Sequence, residues 1–208
     1  MNKGKLIKVL SAHKLWLDKK PDGKRADLGG VDLQGIDLRY ANLKSADMSR
    51  AKLKFINLKG ANLIGTDLGD AELFGALLRH ANLINANLID AQLNGANLTR
   101  ASLEGADLRS ANLCDAVLEA TVLTGTNLML AKYNKRTIFP DEFDPQERGM
   151  VYVSPVVAAE EEPEEIRPVS TIEQIIIEIQ AEIEELSDRQ ALLESVIKEI
   201  QKHSEGKQ

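Results

Sequence analysis

The sequence predicts an all-β solenoid, and three regularities carry this prediction. Leu recurs at every fifth residue from Leu28 to Leu128, with Met48 in its place once. The position two residues before each Leu holds Ala in fifteen of these 21 repeats and a small or β-branched residue in the other six. Residues 26–131 contain no Pro, which is typical of a backbone that needs all its N–H groups.

A period of five fits neither a helix nor a straight strand. On a helix, five residues advance by roughly 500°, so successive leucines would spread around every side. On a straight strand, an odd period would place them on alternating sides. A chain that turns once per repeat keeps all the leucines on one side. We therefore predict a coil with Leu inside and Ala beside it, whose layers pair their backbones about 4.8 Å apart.

The triplets Ala-Asp-Leu and Ala-Asn-Leu, as at 26–28, 61–63 and 106–108, resemble the motif A(D/N)LXX of the pentapeptide-repeat family. The resemblance covers about half of the chain. It implies a right-handed quadrilateral β-helix with four pentapeptides per coil, and hence about five coils in a rod roughly 25 Å long. Residues 12–17 and 139–145 are similar to segments of members from photosynthetic bacteria.

Residues 1–25 are predicted to cap the first coil. Six residues recur at helical spacing and predict an amphipathic helix over residues 4–18: Leu6, Val9, Leu10, His13, Trp16 and Leu17. We expect Trp16 to lie against the first leucines. The segment carries eight Lys/Arg against two acids, so its outer face leaves contact with a membrane surface or nucleic acid as an alternative.

The repeats, residues 26–131, are followed by a predicted cap and a linker. Tyr133 stands where the next Leu would be, and in the cap, residues 132–150, we expect Ile138, Phe139 and Phe143 to cover the last coil. Residues 151–169 hold five Glu and one Arg and are punctuated by Pro, which predicts an acidic disordered linker.

Residues 170–203 change to a seven-residue period and predict a coiled-coil-like amphipathic helix. Self-association into a homo-oligomer is the prediction, and packing back onto the solenoid is the alternative. Gln190 at a core position would fix the register. The candidate oligomerisation residues are Ile172, Ile176, Ile179, Ile183, Leu186, Gln190, Leu193, Ile197 and Ile200.

The sequence does not predict an enzyme, a cofactor or a metal site. Cys114 is the single cysteine, the three histidines are far apart, and no nucleophile motif or phosphate loop is present. On a four-sided coil, residues twenty apart stack. One such column is acidic or amidic, and we expect its side chains to bond nearby backbone at the corners, with a cation between layers as the alternative: Asp27, Asp47, Asp67, Asn87, Asp107 and Asn127.

Function is therefore expected from outward side chains. Stacked cations, an apolar group and two aromatic residues form the candidate partner surface: Arg39, Lys59, Arg79, Arg100, Ile64, Ile84, Ile89, Phe55 and Phe74. They predict a noncatalytic protein–protein interaction scaffold or adaptor. With no apolar run of signal-peptide or membrane-span length, we expect a cytoplasmic protein.

The resemblance also implies an alternative, since quinolone-resistance members of the family mimic duplex DNA and bind gyrase. A DNA mimic 25 Å long would need on the order of 15 negative charges. Residues 26–131 carry nine Lys/Arg against twelve Asp/Glu, which argues against mimicry. We therefore expect a protein partner and no nucleic acid, and we place attachment to a membrane surface third.

Overall fold

The computed structural model describes residues 1–154 of the 208-residue chain. The predicted heptad helix, 170–203, and most of the predicted linker lie outside the described residues. Within them the structure has helix α1, Lys3–Leu17, and strands β1, Lys132–Tyr133, and β2, Val151–Tyr152. Between α1 and β1 the chain forms a repeating coil.

The coil has four faces. Parallel backbone bridges join residues twenty apart, from Asp27 with Asp47 to Asn112 with Lys132, so four pentapeptides complete one coil. We number the faces by the first Leu of each: Leu28 on face 1, Leu33 on face 2, Leu38 on face 3 and Leu43 on face 4. Every Leu at the five-residue spacing is at most 9% exposed, and the alanines two residues before them join the same core. The predicted Leu-lined interior is confirmed.

The repeat 61–65 shows how the backbone is satisfied. Its first N–H closes a turn with the preceding repeat, and its second donates to the previous coil. The third and fifth donate to the next coil at 2.7 and 2.9 Å. The fourth, from Ile64, donates to the side chain of Asn62 at 3.2 Å. All five N–H groups therefore have acceptors without any long strand.

Each corner is a turn with one residue at positive φ. All 21 residues in the second position after the Leu have φ between 53° and 66°. Together with the hydrogen bond across the turn, this is type II geometry. Eight of these residues are Gly and thirteen are not, so the hydrogen bonds between coils hold many side-chain-bearing residues in a conformation that costs about 1 kcal/mol each.

Helix α1 covers the first coil through a buried histidine. Asn2 caps the helix by accepting a hydrogen bond from Lys5 N–H at 2.8 Å. His13 is fully buried, and its Nδ1 accepts a hydrogen bond from Ala26 N–H at 3.0 Å. Ala26 starts the first coil and lacks the preceding turn that serves this N–H in later repeats. Burial lowers the pKa of His13, although the Lys44 carbonyl opposes the shift. The lowered pKa favours the neutral ring, whose Nδ1 can accept the bond from Ala26 N–H.

Three details of the caps differ from the sequence prediction. Trp16 is 38% exposed and stacks on His13 at 5.5 Å, because His13 takes the place over the first coil where Ala26 needs an acceptor. Phe139 and Phe143 pack against the core, but Ile138 is exposed, since one extra residue after Tyr133 puts it at the outward position before Phe139. Residues 151 and 152, assigned to the linker, pair with β1 as β2.

Candidate interaction surface

The Asp and Asn side chains of the repeats bond the backbone at the corners, as predicted. All fourteen that immediately precede a Leu accept a hydrogen bond from the N–H two residues later. Seven repeats have another residue at this position and make no such bond: Lys52, Glu72, Leu77, Gln92, Ser102, Val117 and Val122.

Three of these seven stack in consecutive coils on face 2. Lys52, Glu72 and Gln92 pair with one another through parallel bridges. As a result, the N–H groups of Lys54, Phe74 and Asn94 make no hydrogen bond with any residue in the described part of the chain. Because the side chain that bonds this N–H in other repeats lies outside the coil, these three donors point to the outer surface of face 2.

An open pocket of about 580 Å³ lies over the same three repeats. Phe55 and Phe74 meet edge to face in it, with ring centroids 5.3 Å apart, and are 59% and 42% exposed. Lys54 Nζ and Glu72 Oε2 form an ion pair at 2.9 Å. The lining residues are Lys54, Phe55, Glu72, Phe74, Gln92 and Asn94.

Gly75 makes room for the exposed Phe55 ring at the corner between faces 2 and 3. A Cβ on Gly75 would lie 2.7 Å from two carbons of that ring, and Gly75 has a φ of 62°. Gly95 stands one coil further at the same corner with a φ of 66°, and a Cβ there would meet nothing within 4 Å. The two glycines therefore share a positive φ, which would strain any replacement equally, but differ in contact with the pocket.

Replacing Gly75 with Ala is expected to displace Phe55 from Phe74, whereas Gly95→Ala leaves the pair in place. Both variants are expected to lose about 1–2 kcal/mol of stability, because an L residue at positive φ is strained. Urea denaturation measures this loss, and NMR contacts between the two rings report the pocket. Equal ring contacts in both variants would contradict the role assigned to Gly75.

Charge is separated across the middle coils. Faces 2 and 3 in residues 51–60, 71–80 and 91–100 carry five Lys/Arg against one Glu, a net +4. Faces 4 and 1 in residues 61–70, 81–90 and 101–110 carry one Arg against five acids, a net −4. We define the cationic corner, between faces 2 and 3, as Lys52, Lys54, Phe55, Lys59, Glu72, Phe74, Leu77 and Arg79.

Most cations of the cationic corner are free. Lys52, Lys59 and Arg79 form no ion pair with any residue among the first 154. Leu77 lies beside them and is 44% exposed. Since unpaired cations and apolar side chains share one edge of the solenoid, the surface can bind an anionic group and an apolar group together.

The repeats match a known family. The family model for pentapeptide repeats matches eight copies over residues 24–54, 56–95, 71–109 and 101–131. The chain belongs to the pentapeptide-repeat family. Members of this family form right-handed β-helices, in agreement with the four-faced coil. No curated protein matches the chain.

Solved pentapeptide-repeat proteins are similar to this chain. Rfr23 from the cyanobacterium Cyanothece 51142 is 30% identical, with 61% of this chain and 95% of that chain covered and a TM-score of 0.54. The protein alr5209 from Nostoc Pcc 7120 is 31% identical over 69% and 93%, with a TM-score of 0.28. QnrB1, a plasmid-mediated fluoroquinolone resistance protein, is 15% identical over 62% and 78%, with a TM-score of 0.29.

The other residues of the predicted partner surface lie outside the cationic corner. Arg39 is paired with Asp37 at 2.8 Å, and this contact lowers the pKa of Asp37. Arg100 is exposed at the corner between faces 3 and 4. The predicted apolar group is half-buried on faces 4 and 1, away from the cationic corner, and consists of Ile64, Ile84 and Ile89.

The sequence prediction missed Glu72, Gln92 and Asn94. The signal was present: Lys52, Glu72 and Gln92 are spaced by twenty residues at a position that normally holds Asp or Asn.

Cys114 is half-buried, and burial raises the pKa of its thiol, which disfavours the reactive thiolate. In the described residues, no group of three or more His, Cys, Asp and Glu side chains is placed to hold a metal ion.

Proposed function

We propose that this pentapeptide-repeat protein is a noncatalytic interaction scaffold that binds a protein partner at the cationic corner. The observation that carries the proposal is the exposed Phe55–Phe74 pair beside the unpaired cations Lys52, Lys59 and Arg79. Aromatic residues and Arg are enriched where proteins bind one another, because they combine apolar area with polar contacts. A rigid solenoid holds these side chains at fixed spacing.

The chemistry of the cationic corner supports a noncatalytic role. Its one carboxylate, Glu72, is ion-paired with Lys54, and its other titratable groups are Lys and Arg. Acid–base or nucleophilic catalysis needs a nucleophile beside a base, or two groups with separated pKa values. The family generally serves in structural and interaction roles, which agrees with the proposal.

The proposal includes self-association through residues 170–203, because several copies of the cationic corner would add avidity to weak contacts. The separation of charge does not favour gyrase inhibition by DNA mimicry, since one side of the middle coils is positive. Residues 1–154 contain no helix that is both long and apolar enough to span a membrane.

A pull-down tests the proposal. The double variant Lys59→Gln/Arg79→Gln is expected to capture the partner about tenfold less well than the unmodified chain, a difference of ~1.4 kcal/mol. The matched control is Arg109→Gln, which removes a cation from face 1, where Arg109 pairs with Asp107 at 2.8 Å. The proposal fails if the double variant and the control capture the same proteins equally well.

A further inference from the structure

We infer that the partner presents an acidic segment to the cationic corner, with one large apolar side chain flanked by carboxylates. This inference rests on the proposed function and names the chemistry of its partner. Three features of the cationic corner carry it: the aromatic pocket, the free cations and the outward N–H groups of face 2.

The aromatic pocket takes the apolar side chain. A volume of about 580 Å³ is within the range of about 300–1,000 Å³ that is typical of ligand pockets. Phe55 and Phe74 are 59% and 42% exposed, and Leu77 extends the apolar surface around the corner. Burying these groups against a partner's side chain removes apolar area from water and supplies the anchor.

The free cations select negative charge. Five Lys/Arg and one Glu lie on faces 2 and 3 of the middle coils. Because Lys54 already pairs with Glu72, the charges left to a partner are chiefly those of Lys52, Lys59 and Arg79. They lie on both sides of the aromatic pocket, so carboxylates on both sides of an apolar anchor match them.

The outward N–H groups of Lys54, Phe74 and Asn94 on face 2 can donate hydrogen bonds to oxygen atoms of a partner. In fourteen other repeats the chain's own carboxylate or amide oxygen bonds the equivalent N–H, at 3.0–3.3 Å. For Lys54, Phe74 and Asn94 a partner's oxygen takes that place. The donors repeat with the coil spacing of about 4.8 Å, so carboxylates of neighbouring side chains in a peptide can reach them.

An acidic peptide suits this surface better than a nucleic acid. Faces 4 and 1, on either side of the positive faces 2 and 3, carry a net −4 in the middle coils. A long phosphate backbone, charged at every nucleotide, would be repelled where it extends beyond the cationic corner, whereas a short acidic segment can stay within it. Phe55 and Phe74 meet edge to face at 89°, which does not form the parallel platform on which successive bases stack. Preferential binding of single-stranded DNA is therefore the result that would contradict the acidic peptide.

A selection of random dodecapeptides displayed on phage, made against the full-length chain, supplies the probe. We expect the enriched peptides to be acidic and to share a Phe, Leu, Met or Trp. In ¹⁵N spectra of the full-length chain, the selected peptide is expected to shift the amide signals of Lys54, Phe74 and Asn94. Enrichment of neutral or basic peptides, or of none, would overturn the inference.

Two variants separate the parts of the site. Phe74→Ala is expected to weaken peptide binding at least tenfold, whereas Met129→Ala, at an exposed residue of face 1, leaves it unchanged. Gln92→Asn restores the usual side-chain acceptor for Asn94 N–H without changing charge. We expect it to weaken binding about fivefold, with no loss of stability, because the peptide must now compete for that donor.

The outcomes distinguish this inference from the proposed function. Equal peptide binding by Phe74→Ala and Met129→Ala, or unchanged binding by Gln92→Asn, contradicts the assigned contacts. Tighter binding of a fluorescent oligothymidine than of any selected peptide, lost in Lys59→Gln/Arg79→Gln, would overturn the acidic peptide in favour of a nucleic acid. If the pull-down depends on the cationic corner but no acidic peptide binds, the inference is wrong and the scaffold function stands.

Discussion

Replacing Leu78 with Ala is expected to lower the free energy of unfolding by about 2–5 kcal/mol. Leu78 is completely buried on face 3 and belongs to the common core. Its truncation removes apolar contacts and leaves a cavity between coils whose backbone positions are fixed by hydrogen bonds on both sides. Since neighbouring coils cannot close in without breaking those bonds, we expect the upper part of this range.

The adjacent residue supplies the matched control. Leu77 precedes Leu78 directly but points outward and is 44% exposed. Leu77→Ala removes the same atoms from the surface, so we expect a change within about 0.5 kcal/mol. Urea denaturation followed by circular dichroism measures both. Similar losses for the two variants would contradict the assignment of these residues to opposite sides of face 3.

Replacing His13 with Ala is expected to destabilise the first coil by about 2–4 kcal/mol. The change leaves Ala26 N–H buried without its acceptor, which costs about 1–3 kcal/mol, and opens a cavity under α1. Because each coil of a solenoid contacts only its neighbours, the damage should be concentrated at the N-terminal end.

Amide hydrogen exchange measures where this damage occurs. We expect faster exchange at Ala26 and through the first coil, with little change near Leu108. The control is His80→Ala, which removes an exposed histidine at the corner between faces 3 and 4. If His13→Ala accelerated exchange no more than His80→Ala, His13 would not be the residue that holds α1 against the first coil.

The sequence was sufficient to predict the interior because one local rule repeats without a change of register. Leu at every fifth position and Asp or Asn before it determine both the core and the corner hydrogen bonds. The ends do not repeat, so no periodicity fixes them. Choosing His13 over Trp16 as the buried cap residue requires knowing that Ala26 N–H lacks an acceptor, which depends on how α1 is placed.

The candidate surface was predicted only in part. Stacking by twenty placed Lys59 above Arg39, and Phe55 and Phe74 were expected beside Lys52 and Lys54. The sequence did not show that Arg39 is paired with Asp37. The pocket depends on side-chain lengths: Lys52, Glu72 and Gln92 do not form the corner bond that the shorter Asp and Asn form. The resulting loss of acceptors for three N–H groups on face 2 depends on the backbone geometry of the coil.

The twenty-residue coil restricts how this chain can change in length during evolution. Inserting or deleting one pentapeptide would turn every later residue by a quarter revolution and would split a surface that spans several coils. Adding or losing four pentapeptides together would move later residues along the axis and leave their orientation unchanged. Functional surfaces on such a rod are therefore inherited in steps of whole coils.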